Sequence, residues 1–80
     1  MNLNDYEIIV ASNVSEGNDG IGIEVWEKNE LIILIFRDDT KKTRTVRTFN
    51  QNVSLELMEK IIEIFKNKIP WEFIEYDKTD

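Results

Sequence analysis

Six consecutive apolar residues, Leu31-Ile32-Ile33-Leu34-Ile35-Phe36, stand between Glu30 and Arg37, and no other stretch of the chain is as hydrophobic. A short run of this kind suits a central β-strand that is covered on both faces. Side chains alternate along a strand. Leu31, Ile33 and Ile35 are therefore expected on one face, and Ile32, Leu34 and Phe36 on the other. The rest of an 80-residue chain must then supply neighbouring strands and cover for both faces.

The flanking segments supply strands. Tyr6-Glu7-Ile8-Ile9-Val10-Ala11 is a short apolar and β-branched run, which predicts a first strand over 6–11. Residues Ser12 to Gly20 are rich in Ser, Asn, Asp and Gly and read as a loop, with Gly17 and Gly20 supplying unusual backbone angles. Ile21-Gly22-Ile23-Glu24-Val25-Trp26-Glu27 alternates in polarity, so a half-buried strand is predicted over 21–27. Ile21, Ile23 and Val25 share one face; Gly22, Glu24 and Trp26 share the other. Lys28-Asn29 reads as a tight turn into the apolar strand at 30–37, because Asn tolerates positive φ. Asp38 to Lys42 is a polar hairpin loop, and the Thr-rich segment 43–49 reads as a solvated fourth strand.

Beyond Asn50-Gln51-Asn52 the period changes. Leu55, Met58, Ile62, Phe65 and Ile69 recur at spacings of three and four, which predicts an amphipathic helix over 54–69. Leu57, Ile61 and Ile64 widen the apolar stripe. Asn52 or Ser54 can cap the helix, and Glu56 in the first turn favours the dipole. Pro70 ends it, because proline disfavours helical geometry in the residue before it and has no backbone N–H. The acidic, aromatic segment 70–80 then either adds an edge strand or packs along the sheet.

These elements assemble most simply into one α+β domain spanning 1–80, a four-stranded antiparallel β-meander with one C-terminal helix across a face. One helix covers one side only. The second face, which includes Trp26, is left for the tail from Trp71 to Tyr76, for a second copy of the chain, or for a different protein.

Composition narrows the function. The chain has no His and no Cys, and three Gly. The usual nucleophiles, neutral-pH proton shuttles and phosphate-cradling loops therefore lack material, and no enzymatic activity is expected. Ser12, Ser15 and Ser54 have no His to activate them. No cofactor or metal is expected either. Asp38 and Asp39 are adjacent carboxylates, but Asp is a favoured turn residue that bonds its own backbone. The loop Glu16-Gly17-Asn18-Asp19-Gly20 lacks the ligand spacing of a calcium loop. Absence of Cys fits a reducing compartment. With no signal-peptide pattern and no apolar run of membrane-spanning length, a cytosolic protein is expected.

Sixteen acids against ten bases give a net charge of −6, which disfavours direct binding of nucleic acid. The bases cluster at Arg37, Lys41, Lys42, Arg44 and Arg47, as either a solvated hairpin or a binding patch. Elsewhere the chain is acidic, most visibly in Trp71-Glu72-Phe73-Ile74-Glu75-Tyr76-Asp77. Aromatic anchors beside charges are common at protein interfaces. Glu72, Glu75, Asp77, Trp71 and Tyr76 are accordingly candidate partner-binding residues, and Asp38, Asp39, Glu24 and Trp26 can extend the surface. The competing reading packs Trp71 and Phe73 into the core.

The stretches Gly20 to Trp26, Phe36 to Thr40, Thr48-Phe49 and Val53 to Leu57 leading into the helix carry a resemblance. Over residues 6 to 69 the pattern resembles the small immunity proteins found beside polymorphic bacterial toxins, including those of contact-dependent growth inhibition. The resemblance implies an intracellular inhibitor that binds one cognate toxin domain, often a basic nuclease, with carboxylates in place of phosphates. Two alternatives stand beside it: a small acidic phage-type inhibitor such as an anti-CRISPR, and a structural subunit that forms a homodimer through the second sheet face.

Overall fold

A computed structural model describes residues 5–15, 18–49 and 52–74. It is an α+β fold with element order β1 (Glu7–Ser15), β2 (Asn18–Glu27), β3 (Glu30–Asp38), β4 (Thr43–Thr48) and α1 (Leu55–Lys68). The strands lie in sequence order and each pairs antiparallel with the next. The meander expected from short connections is therefore present, with β1 and β4 as its edges. Among the described residues no helix is long and apolar enough to cross a membrane.

The first hairpin departs from expectation. The segment read as a loop from Ser12 to Gly20 is mostly strand, because β1 runs on to Ser15 and β2 begins at Asn18. Backbone pairing from Asn13↔Gly20 to Ser15↔Asn18 overrides the weak β preference of the Ser, Asn, Asp and Gly residues that surround Val14. Gly20 accordingly serves in a strand, and its role is room for a neighbour. A Cβ there would meet the Arg37 carbonyl oxygen and approach the Phe36 ring to 2.7 Å. At Gly22 a Cβ would collide with the Ile35 carbonyl oxygen and come within 2.8 Å of Phe36 Cα. Backbone atoms cannot step aside as a side-chain tip can. Gly22→Ala is therefore expected to cost about 1–3 kcal/mol through overpacking, read by chemical denaturation. A loss below ~0.5 kcal/mol would show that β2 and β3 separate freely at this point.

The second turn forms as expected. Lys28 and Asn29 both have positive φ, 51° and 67°, the pattern of a two-residue hairpin whose twist matches the strands. Just before it, Val25 pairs with Ile33 but Trp26 pairs with Leu31, so Ile32 is an extra residue in β3. This bulge resets the alternation. Ile32 and Ile33 are both buried in one core with Ile23, Val25 and Ile35. The expectation that Ile32 lies on the second face with Leu34 and Phe36 is thus corrected by one inserted residue.

Helix α1 starts at Ser54, whose hydroxyl accepts a hydrogen bond from the Leu57 N–H at 3.1 Å. It ends at Ile69, whose N–H donates to the Phe65 carbonyl just before Pro70. The buried residues are Leu57, Ile61 and Phe65, joined by Ile69 beyond the last turn. Leu55, expected in the stripe, is 69% exposed. At about 100° per residue it sits roughly 120° from the stripe's centre near Ile61, whereas Met58 and Ile64 are only about 60° away. Both of these, with Ile62, are partly buried against the core.

Candidate functional site

The antiparallel registers sort every strand residue onto one of two faces. Toward the helix lie the rows Ile8–Val25–Ile33–Thr48, Val10–Ile23–Ile35–Val46 and Ser12–Ile21–Arg37–Arg44. On the opposite face lie Ile9–Glu24–Leu34–Arg47 and Ala11–Gly22–Phe36–Thr45. The helix covers the first set. The second set bounds a shallow depression of about 390 Å³, floored by Leu34 and Phe36 and edged by Glu24 and Arg47, with Ala11 and Thr45 at its sides.

The depression follows from local sequence. Gly20 and Gly22 carry no side chain to fill the face; the Phe36 ring lies against Gly20, and the Ile35–Phe36 backbone lies close to Gly22. Glu24 and Arg47 stand in one row on either side of Leu34, an acid and a base separated by an apolar residue. Trp26 adjoins them, and its Nε1–H donates to Glu24 Oε1 at 3.0 Å. At the other flank the Arg47 guanidinium lies 5.2 Å from the centre of the Phe49 ring. The face therefore offers two charged groups held by aromatic neighbours around a half-buried apolar floor. Glu24 and Trp26, expected among the partner-binding residues, both belong to it. Arg47 escaped notice as part of this site, because only the β3–β4 register puts it opposite Leu34.

The basic cluster does something else. Arg37 and Asp39 are each only 2% exposed and form a buried ion pair. Arg37 NH2 donates to Asp39 Oδ2 at 3.0 Å. Arg37 Nε lies 2.9 Å from Oδ1 without the alignment of a hydrogen bond, so that second contact is ionic. The pair continues into the tail. Arg37 NH1 donates to the Pro70 carbonyl at 2.6 Å, and Asp39 Oδ1 accepts from the Ile74 N–H at 3.0 Å. Arg44 donates twice to the Trp71 carbonyl, and its guanidinium lies over both Trp71 and Phe73, 3.9 and 4.1 Å from their ring centres. Lys42 Nζ donates to the Ile74 carbonyl. Three of the five clustered bases thus fasten residues 70–74 to the β3–β4 hairpin.

This placement corrects the surface assembled from the sequence. Asp39 is enclosed and its carboxylate is engaged within the fold, so it is scaffold and presents nothing to a partner. Asp38 is 9% exposed; it lines the open-face depression with Glu24, as expected, while its Oδ1 accepts from the Thr40 and Lys41 N–H groups and holds the turn. Trp71 and Phe73 do not enter the core; they flank Arg44, with Trp71 exposed. Residues 70–74 add no strand. They are anchored through Arg37 and Arg44, which share the helix side of the sheet, and so leave the opposite face uncovered. Trp71 and the exposed Glu72 therefore form a surface separate from Glu24 and Trp26. Glu75, Tyr76 and Asp77 lie outside the described residues.

Comparison with protein-family models, with curated proteins and with solved structures finds no match to this chain.

Proposed function

We propose that this chain is a non-enzymatic protein-binding inhibitor, an immunity protein that acts in the cytosol on a basic toxin domain and engages it through the open sheet face. The observation that carries this reading is the depression of Leu34 and Phe36 between Glu24 and Arg47, open among the described residues. It combines an apolar floor with a carboxylate that Trp26 holds in place. An interface needs this combination: desolvated apolar and aromatic anchors for affinity, and an oriented charge for register. Ser54, one of the three candidate hydroxyl nucleophiles, is committed to capping the helix. The net charge of −6 speeds encounter with a basic partner, and the resemblance to immunity proteins names the class to which such a partner belongs.

The test is capture from the native host by the tagged chain, followed by assay of the captured protein with and without it. The expected result is a basic protein bound in equal amounts, inhibited by the wild type and bound more weakly as salt rises. Leu34→Lys places a like charge under that partner at a half-buried position. It is expected to weaken binding by about thirtyfold or more, a hot-spot loss of ~2 kcal/mol, with the fold retained by circular dichroism. Equal binding by wild type and Leu34→Lys would remove the open face from the interface. An uninhibited partner would remove the inhibitor reading.

A further inference from the structure

We propose that the outer edge of β1 is a self-association edge, and that a second copy of this chain adds its own β1 antiparallel there to make one continuous eight-stranded sheet. β1 lies at the end of the strand order, and among the described residues its outer backbone groups meet no other backbone. An edge of this kind is a template for another strand unless it is blunted. Natural edges are blunted by charge, proline, bulges or shortness. β1 has none of these between Ile8 and Ser15: that stretch contains no charged residue and no Pro. It keeps nine uninterrupted pairs with β2, whereas the register shift in the sheet falls between β2 and β3. The other edge is guarded. β4 is six residues long, carries Arg44 and Arg47, and has the chain's tail fastened to it through Arg44.

Exposure along β1 fits an unmet strand. Ile9 on the open face is 39% exposed and Val10 on the helix face is 48% exposed, so apolar surface flanks the edge above and below. The occupant that best matches the uncharged, β-branched stretch Ile8-Ile9-Val10, with apolar residues on both faces, is another such stretch, and the β1 of a second copy supplies it. With a two-fold axis at Ile9, Ile9 faces Ile9, Ile8 faces Val10, and Glu7 faces Ala11. No like charges then stand opposite each other. Antiparallel pairing of identical strands requires that axis to be normal to the sheet. The contact therefore closes at two copies, with both helices on one side and both open faces on the other. This dimer stands independently of the inhibitor reading, since it leaves the depression of each copy uncovered and involves no second protein.

The experiment is sedimentation equilibrium of the full chain alone, from micromolar to millimolar concentration, with amide hydrogen exchange at both limits. The expected result is a monomer–dimer equilibrium in which β1 amides gain protection as the dimer forms. Two copies of charge −6 repel, so the dimer is expected to tighten with added salt, opposite in sign to the binding of a basic partner. Ile9→Lys sets like charges across the axis and is expected to weaken the dimer about tenfold or more, with Val10→Lys as a second probe on the other face. Leu34→Lys, on the open face, is expected to leave it unchanged. A monomer at all concentrations would overturn the proposal. So would a dimer that resists both β1 lysines, or one that is lost in Leu34→Lys.

Discussion

Replacing Asp39 by Ala is expected to remove about 3–5 kcal/mol of folding stability, because it leaves the Arg37 guanidinium buried without its counter-charge. The same change frees the Ile74 N–H that Asp39 Oδ1 accepts, so the tail loses one of its tethers. A native domain has roughly 0.05–0.15 kcal/mol of stability per residue, about 4–12 kcal/mol for this length, so such a loss approaches the whole. In a thermal melt it corresponds to a drop of at least about 12 °C. Arg37→Met combined with Asp39→Ala is expected to be less destabilised than the sum of the single changes, because the double variant buries no lone charge. It does not return to wild type, since the Pro70 carbonyl loses its donor as well. A cost below about 1 kcal/mol for Asp39→Ala would mean that Arg37 reaches water without its partner.

Phe65→Ala is expected to cost about 3–5 kcal/mol for a different reason. Phe65 is among the largest fully buried side chains and stands one turn beyond Ile61 on the face that α1 turns to the sheet. Its removal loses the transfer energy of the ring and leaves a cavity against residues from β2 and β3 that cannot all collapse into it. Leu55→Ala at the start of the same helix is expected to change stability by well under 1 kcal/mol, since Leu55 is mostly exposed. The pair of substitutions, read by urea denaturation, tests which stripe of the helix is buried. Similar losses at both positions would contradict the orientation described for α1.

The order and type of the elements were legible in the amino-acid pattern. Alternation in Ile21 to Trp26, the apolar run from Leu31 to Phe36, the change to a period of three and four after Asn52, and the stop at Pro70 are local signals with local causes. Short connections then leave few topologies besides the meander. A sheet face without the helix was legible too, because one amphipathic helix cannot cover both sides of a sheet. Glu24 and Trp26 sit on that face as alternation required.

The rest was hidden for physical reasons that can be named. The length of the first hairpin rested on pairing between two weak strand formers, each of which needs the other. The burial of Ile32 rested on a one-residue bulge, and periodicity carries no mark of a bulge. Asp39, Arg37 and Arg44 were read as surface by their polarity or position. Arg37 and Arg44 instead meet residues 33 and 27 positions further along the chain, at Pro70 and Trp71. Composition alone had already shown that His and Cys are lacking and set the net charge, because those are sums over residues and need no geometry. Which carboxylates are enclosed and which stand on the open face, which bases bind residues 70–74, and which sheet edge lies open among the described residues are questions of register and long-range contact. Tertiary packing alone answers them, since each depends on residues that come together only when distant segments fold against one another.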